Sequence, residues 1–313
     1  MQIFRSWQSL HAAPQLEGCV ATIGNFDGVH LGHQHLIHEL KTAAKTRQTT
    51  SLVITFHPHP RALLTPDKAP KRLISLHDRL YQLQQTGVDA VLVLPFTHAI
   101  AKLSPQAFIE SLYASCRMQH MHIGHDFAFG KNRSGHWQEL QRIGQHIGFE
   151  VSQAKALSST DTIISSSAIR QAVLQADFDK AQQLLGRRYS ICGHVGTGDQ
   201  RGRDLGFRTT NMALHQRCHP PIGIYAVWAH TTQQHWAGAA YIGSRPTFAG
   251  QGLRLETTLL DANINLYRQR LNIEFVQYIR ADKKFEDSQA LSQQIVHDCQ
   301  QVRDVLQQNP FQG

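Results

Sequence analysis

Two histidines three residues apart, His30 and His33, stand in the run VATIGNFDGVHLGHQHLIHELKTAAK, residues 20–45, between a glycine-rich turn and a helix-forming stretch. At that spacing both imidazoles project to one side of the chain as it enters the helix, beside free backbone N–H groups and the positive end of the helix dipole. That combination receives anions. Gly32 has no side chain to keep a phosphate away, and two imidazoles can donate hydrogen bonds to oxygens that gain charge as a phosphoryl group is attacked. Two readings compete with this one. With 20 histidines in 313 residues a stray pair is common, and His30, His33, His35 and His38 could together hold a metal, although no cysteine pair or HExxH pattern accompanies them. A strand, a glycine loop and HLGH in one run form the rarer coincidence, which favours phosphate chemistry.

Further chemistry is spread along the chain. In TFHPHPR the prolines are expected to hold the tip extended, so that His57 and His59 share a face at the carboxyl end of a strand, where open α/β sheets bind ligands. The ordinary alternative is a rigid surface turn. In GHDFAFGKNRSG, Phe127 and Phe129 could stack on a flat ligand with Asp126 as a polar contact, or could tuck the loop onto the core. In ISSSAIR, hydroxyls open a helix and Arg170 falls about one turn later, which suits a triphosphate, although a plain serine cap is the more frequent use of such a run. The stretch GHVGTGDQRGRDLGFRTTN carries Gly193, Gly196, Gly198, Gly202 and Gly206, too many for a regular strand and suited to a backbone wrapped around phosphate. At its end Thr209 and Asn211 offer neutral oxygens two residues apart, which suit a magnesium ion that keeps its waters and phosphate ligands. Glu256, alternating with apolar residues in LETTLLD, is a general-base candidate only because the glycine loop accompanies it.

These groups need elements to hold them. Val20 to Ile23 reads as a short apolar strand, Gly24 to Gly28 as a turn that lets backbone approach a ligand, and the chain from His33 onward as a helix with Leu36, Ile37 and Leu40 on one face. Ser51 to Phe56, Ala90 to Pro95, Met121 to Gly124 and a stretch near Phe149 to Ala156 continue as strands. Between them come helices. Ser75 to Gly87 opens as a capping box and closes on glycine, Ser104-Pro105 starts another helix, and a third runs from about Trp137 to Ile147. This alternation predicts a parallel sheet with helices on both faces. After a helix over Asp177 to Gly186 the texture changes, which places domains at 1–186 and 187–313. Tyr189 to Val195, Gly223 to His230, Trp236 to Gly243, Leu253 to Asp261 and Leu271 to Ile279 are five β-rich runs with no helix between them, as in an antiparallel barrel. Ser288 to Gln307 then reads as a closing helix.

The composition agrees with an anion-handling protein. Its 31 Lys and Arg against 23 Asp and Glu leave a net charge of +8, for which nucleotides and nucleic acid both qualify as partners. Hydrophobic residues make up 41%, enough for two cores. The five cysteines form no CxxC pair and are odd in number, which points to a reducing compartment, the cytoplasm, rather than a disulfide framework. Neither a secretion signal nor a membrane span is expected.

The run GNFDGVHLGH resembles the G-x-F-D-x-x-H-x-G-H signature of nucleotidyltransferases, and with TFHPHPR, GHDFAFGKNRSG and ISSSAIR it resembles the FMN adenylyltransferase module of prokaryotic bifunctional FAD synthetases. The second half is similar to the riboflavin kinase barrel through GDQRGRDLGFRTTN, GIYAV, GSRPTF, LETTLLD and LYRQRLNIEFVQYIRADKKF, in the expected order. The resemblance implies a Rossmann-like nucleotidyltransferase sheet followed by an antiparallel β-barrel of riboflavin kinase type with a closing helix. It also implies an activity: riboflavin is phosphorylated to FMN and FMN is adenylylated to FAD, with ATP and Mg2+ in both steps and no covalent enzyme intermediate. Carried over, catalysis falls on His30, His33 and Glu256. The first ATP site takes Gly24, Phe26, Asp27, Gly32, His59, Ser166, Ser167 and Arg170, and the flavin is met by Asp126 and Phe129. The second ATP site takes Gly193, Gly198, Gly202, Arg203, Gly206, Thr209 and Asn211, the last two also holding Mg2+. Ser167 stands where the family often has threonine. GFRTTN departs from the family's GFPTAN at Arg208 and Thr210, and Ala262 replaces a frequent aromatic. The implied partners are small molecules, with no nucleic acid, membrane or obligatory protein partner. Two rivals follow from the same residues: an adenylyltransferase with a weakened kinase, and an RNA-binding or tRNA-charging protein, which the absence of a KMSKS-like stretch and of a dense basic run disfavours.

Overall fold

Val20–Ile23, the strand before the histidine motif, is buried along its whole length. The computed structural model describes residues 1–125, 127–159, 162–196, 209–214, 216–245, 252–262, 264 and 266–312. They fall into two compact units, Met1–Pro70 with Ser75–Ser165, and Lys71–Ile74 with Ser166–Gly313.

In the first unit the strands are β1 (Gln2–Phe4), β2 (Val20–Ile23), β3 (Ser51–His57), β4 (Ala90–Pro95), β5 (His120–Ile123) and β6 (Glu150–Gln153). All neighbours are parallel, in the order β1-β4-β3-β2-β5-β6. The helices between them are α1 (Trp7–His11), α2 (Leu31–Thr46), α3 (Pro60–Leu64), α4 (Leu76–Gln85), α5 (His98–Ala101), α6 (Pro105–Cys116) and α7 (Trp137–Ile147). A short ribbon of β7 (Ser158–Ser159) and β8 (Thr162–Ile163) ends the unit. Alternation along the strands separates two cores. Ala21, Ile23, Leu52, Ile54, Leu92 and Leu94 pack with Phe108 and Leu112 of α6 and Leu140 and Ile143 of α7, while α2 buries Leu36, Ile37 and Leu40 as it packs on β2, β3 and β5. Each buried Leu, Ile or Phe among them contributes about 1.5–3 kcal/mol.

The strand order reverses direction between β2 and β5. In open parallel sheets that reversal opens a crevice at the carboxyl ends of the strands, where ligands bind. The histidine motif leaves β2 at that point. Two local expectations are corrected here. The helix begins at Leu31, with His30 as its N-cap, rather than at His33. The chain also does not stay extended through HPHP: β3 stops at His57, and Pro60 opens α3 with His59 as its cap, because proline's fixed φ suits the first helical position.

The second unit begins with α8 (Ser166–Leu174) and α9 (Phe178–Leu185), the latter capped by Asp177 and ended by Gly186. Strands β9 (Ser190–His194), β10 (Thr209–Ala213), β11 (Gly223–His230), β12 (His235–Arg245), β13 (Gly252–Leu259) and β14 (Arg270–Arg280) form one antiparallel sheet in the order β10-β13-β12-β11-β14-β9. Its two edges meet where the Gly196 N–H donates to the Asn211 carbonyl at 2.9 Å, which curls the sheet into a barrel. The sixth strand, β10, is additional to the five expected, since TTNMA follows the glycine run and is too short to show its own period. Phe178 of α9 stacks on Phe275 inside the barrel, with centroids 5.4 Å apart. The closing helix α10 (Ser288–Gln308) buries Cys299, Val302 and Leu306 against Ala226 and Leu260. Among the described residues no helix is long and apolar enough to cross a membrane, and all five cysteines are free.

Candidate functional site

The loop from β2 to α2 is shaped by three residues with left-handed backbone. Phe26, Gly28 and Val29 all adopt positive φ, at 49°, 90° and 41°. Phe26 is fully buried, and its ring lies 4.9 Å from that of His33. A side chain at Gly24 would press on that ring at 3.2 Å. Asp27 is buried as well.

His30 caps α2 through its own ring: the His33 N–H donates to His30 Nδ1 at 3.3 Å. That bond leaves Nδ1 without a proton, so the neutral ring carries its proton on Nε2. The His30 and His33 rings stack with centroids 3.6 Å apart and an interplanar angle of 18°. His33 Nδ1 is buried with no hydrogen-bond partner among the described residues. Burial, then the adjacent His30 ring and the Arg79 guanidinium, hold the His33 imidazole well below its ordinary range. Near pH 7 the ring is therefore neutral, a hydrogen-bond donor rather than a fixed cation. Gly32 is enclosed: a Cβ there would lie 3.2 Å from His30 Nδ1 and 3.4 Å from the Ile164 carbonyl. Stacked rings bonded to the helix backbone are not a metal-ligand arrangement, and among the described residues no group of three or more His, Cys, Asp and Glu could hold a metal ion.

Beneath this loop lies a residue that the sequence reading missed. Arg79 of α4 is buried, and it donates from Nη1 to the Asn25 carbonyl at 2.6 Å and from Nη2 to the Phe56 carbonyl at 3.0 Å. Thr55 Oγ1 donates to the same Asn25 carbonyl at 3.2 Å. A signal was present, because Arg79 lies four residues before Leu83 and so falls on the buried stripe of its helix.

The other expected residues of this chemistry are distributed as follows. His59 is half-buried and uses its Nδ1 to cap α3. Phe129 is buried, stacked beneath Phe127 at 5.1 Å and packed toward Phe108, so the loop is tucked onto the core by its aromatics. Asp126 lies outside the described residues. Ser166, Ser167 and Arg170 share the first turns of α8 in the second unit, where Arg170 Nε donates to the Lys71 carbonyl at 2.7 Å.

In the barrel, register makes the site. Asn211 of β10 lies directly opposite Glu256 of β13, which lies opposite Tyr241 of β12. Directly opposed residues of antiparallel strands point to the same side, so Asn211, Glu256 and Tyr241 form a row, with Thr209 one step along the strand from Asn211. This row is on the face away from Leu255, Thr257 and Leu259, which are buried in the core. Tyr241, also missed in the sequence, donates its O–H to Asp282 at 2.9 Å beside the base candidate. Gly193 sits on β9 with the Met212 sulfur 3.0 Å from where a Cβ would be, which gives it a packing role. Gly198, Gly202, Arg203, Gly206 and Arg208 lie outside the described residues.

A helix start primed for anions at the switch point of a parallel sheet, joined to a closed antiparallel barrel with a carboxylate beside neutral oxygens, defines a two-module nucleotide-using enzyme. Residues 12–168 match the FAD synthetase family and residues 185–306 match the riboflavin kinase family. The bifunctional riboflavin kinase/FMN adenylyltransferase of Escherichia coli (strain K12) is 38% identical over 300 residues, 95% of this chain and 96% of that one. Its counterpart in Pseudomonas fluorescens is 39% identical over 305 residues, 97% of each chain, and that of Bacillus subtilis 38% over 289 residues, 90% and 91%. The chain belongs to the bifunctional riboflavin kinase/FMN adenylyltransferase family. A solved structure titled a macrolide-efflux protein from Streptococcus pneumoniae shares the fold over 97% of this chain, with a TM-score of 0.82 and 26% identity.

Proposed function

We propose that the barrel phosphorylates riboflavin and the parallel-sheet module adenylylates the product, each with the residues located above. In the first step Glu256 takes the proton of the ribityl hydroxyl as that oxygen attacks the γ-phosphorus of ATP, giving FMN and ADP. The observation that carries this is the register placing Glu256 opposite Asn211. Thr209 and Asn211 supply neutral oxygens on one side of one strand, a donor set that fits a magnesium ion keeping most of its water and phosphate ligands. Bound there, magnesium would offset phosphate charge.

In the second step an oxygen of the FMN phosphate attacks the α-phosphorus of ATP, giving FAD and pyrophosphate. His30 Nε2–H and the His33 ring donate toward oxygens that gain charge, and the first turn of α2 adds backbone N–H groups and the helix dipole. Neutral imidazoles suit this work because two stacked cations 3.6 Å apart would repel each other. Gly24, Phe26, Asp27, Gly32 and His59 shape the ATP end, with Ser166, Ser167 and Arg170 as phosphate donors. Asp126 and the Phe127–Phe129 loop border the flavin. Both steps proceed by positioning and charge stabilisation. Small-molecule substrates, a cytoplasmic setting and the division at 186/187 belong to the same reading.

The test is a product chromatogram from riboflavin, ATP and magnesium with the purified chain. FMN, then FAD, with ADP and pyrophosphate in matching amounts, is the expected outcome; riboflavin and FMN both left intact would overturn it.

A further inference from the structure

Adenylyl transfer as described gives no task to the cation buried under its loop. Arg79 reaches two main-chain carbonyls in different segments: Asn25, in the loop after β2, and Phe56, near the end of β3. Both lie at the carboxyl edge of the sheet, at the ends of the adjacent strands β2 and β3. A guanidinium is a planar fork whose donors keep a fixed separation, whereas an ammonium is a point charge that cannot span two acceptors in the same way. Charge-assisted bonds to two carbonyls make Arg79 a rigid tie, and Thr55 holds Asn25 from the strand side. The tied segment leads within five residues to His30. The guanidinium is also close enough to His33 to disfavour its protonation.

We infer that Arg79 is a positioning residue for FAD formation, fixing the loop after β2 against the end of β3 and so the placement of the His30–His33 pair. This rests on reading that pair as the adenylyl-transfer centre. In this role Arg79 acts through the Asn25 carbonyl rather than on the reacting atoms.

Two substitutions separate the tie from the charge. Arg79→Lys keeps the charge and loses the fork, and Arg79→Met keeps the apolar stem and loses both. In each, the rate of FAD formation from FMN is expected to fall by about 10- to 100-fold through kcat, since a small displacement of the reacting groups is enough to cause that loss. FMN formation from riboflavin should be unchanged. Nitrogen NMR of the His33 ring should show its titration moving to higher pH in Arg79→Met and staying low in Arg79→Lys. In the wild-type protein the Arg79 Nη protons should give separate, slowly exchanging signals, a readout that needs no variant to fold. A wild-type rate in Arg79→Lys, or a single averaged Arg79 Nη signal in the unmodified chain, would overturn the inference. A wild-type chain that makes no FAD from FMN would instead remove the reading on which it rests.

Discussion

The two sites of this chain are built in opposite ways. In the first unit the groups that would act on phosphate are neighbours in sequence, from Gly24 to His33, and much of the work falls to backbone N–H groups at the start of α2. In the barrel they are far apart in sequence, Asn211 and Glu256, and become neighbours only because β10 and β13 pair in one register. A contiguous site can be read from a motif and is disturbed by local shape. A register site depends on strand pairing, and a slip of one residue would turn Glu256 toward the core.

The sharpest way to break this contrast is Glu256→Gln, which should lower FMN formation by about 10²–10⁴-fold, the usual range for losing a general base, while FMN-to-FAD conversion keeps its rate. His30→Ala should do the reverse, lowering FAD formation by about 10²–10³-fold, the loss typical of one positioned oxyanion donor. Equal loss of both activities in either variant, followed by chromatography, would contradict the division of labour. Gly32→Ala tests local shape alone. Its Cβ would press on His30 Nδ1 at 3.2 Å, so FAD formation should drop by about tenfold, with His30→Ala as the ceiling.

A smaller effect concerns stability. His120 is buried beside Ser152, and burial, then the Arg47 charge, push its pKa down to about 4. The folded ring stays neutral while the unfolded chain takes up a proton near pH 6.5, so this contribution is complete above that pH and is lost as pH falls toward about 4. Melting temperatures between pH 7 and 4 should decline less steeply in His120→Gln than in the wild type; parallel curves would exclude the residue as a source.

Legibility followed the same division. GNFDGVHLGH, the Ser75–Asp78 capping box and the Ser104-Pro105 helix start were readable because each is a local device, and each is present in the structure. The parallel sheet followed from alternating apolar strands and helices. What escaped reading was either too short to carry a period, as with β1 at Gln2–Phe4 and β10 at Thr209–Ala213, or set by distant contacts. Arg79 looks like an ordinary helical arginine until Asn25 and Phe56 are brought to it. Tyr241 gains its place only from the pairing that sets it opposite Glu256. The extended HPHP tip was misjudged because proline is equally at home in a first helical turn.

Asn211 serves the barrel twice. Its side chain stands in the row with Glu256, while its carbonyl accepts the Gly196 N–H that joins the two edges of the sheet. Anything that pulls this amide toward a bound nucleotide therefore tugs on the stitch that shuts the cylinder. On the proposed reading of Asn211, the exchange rate of the Gly196 amide proton is expected to change when nucleotide binds the barrel.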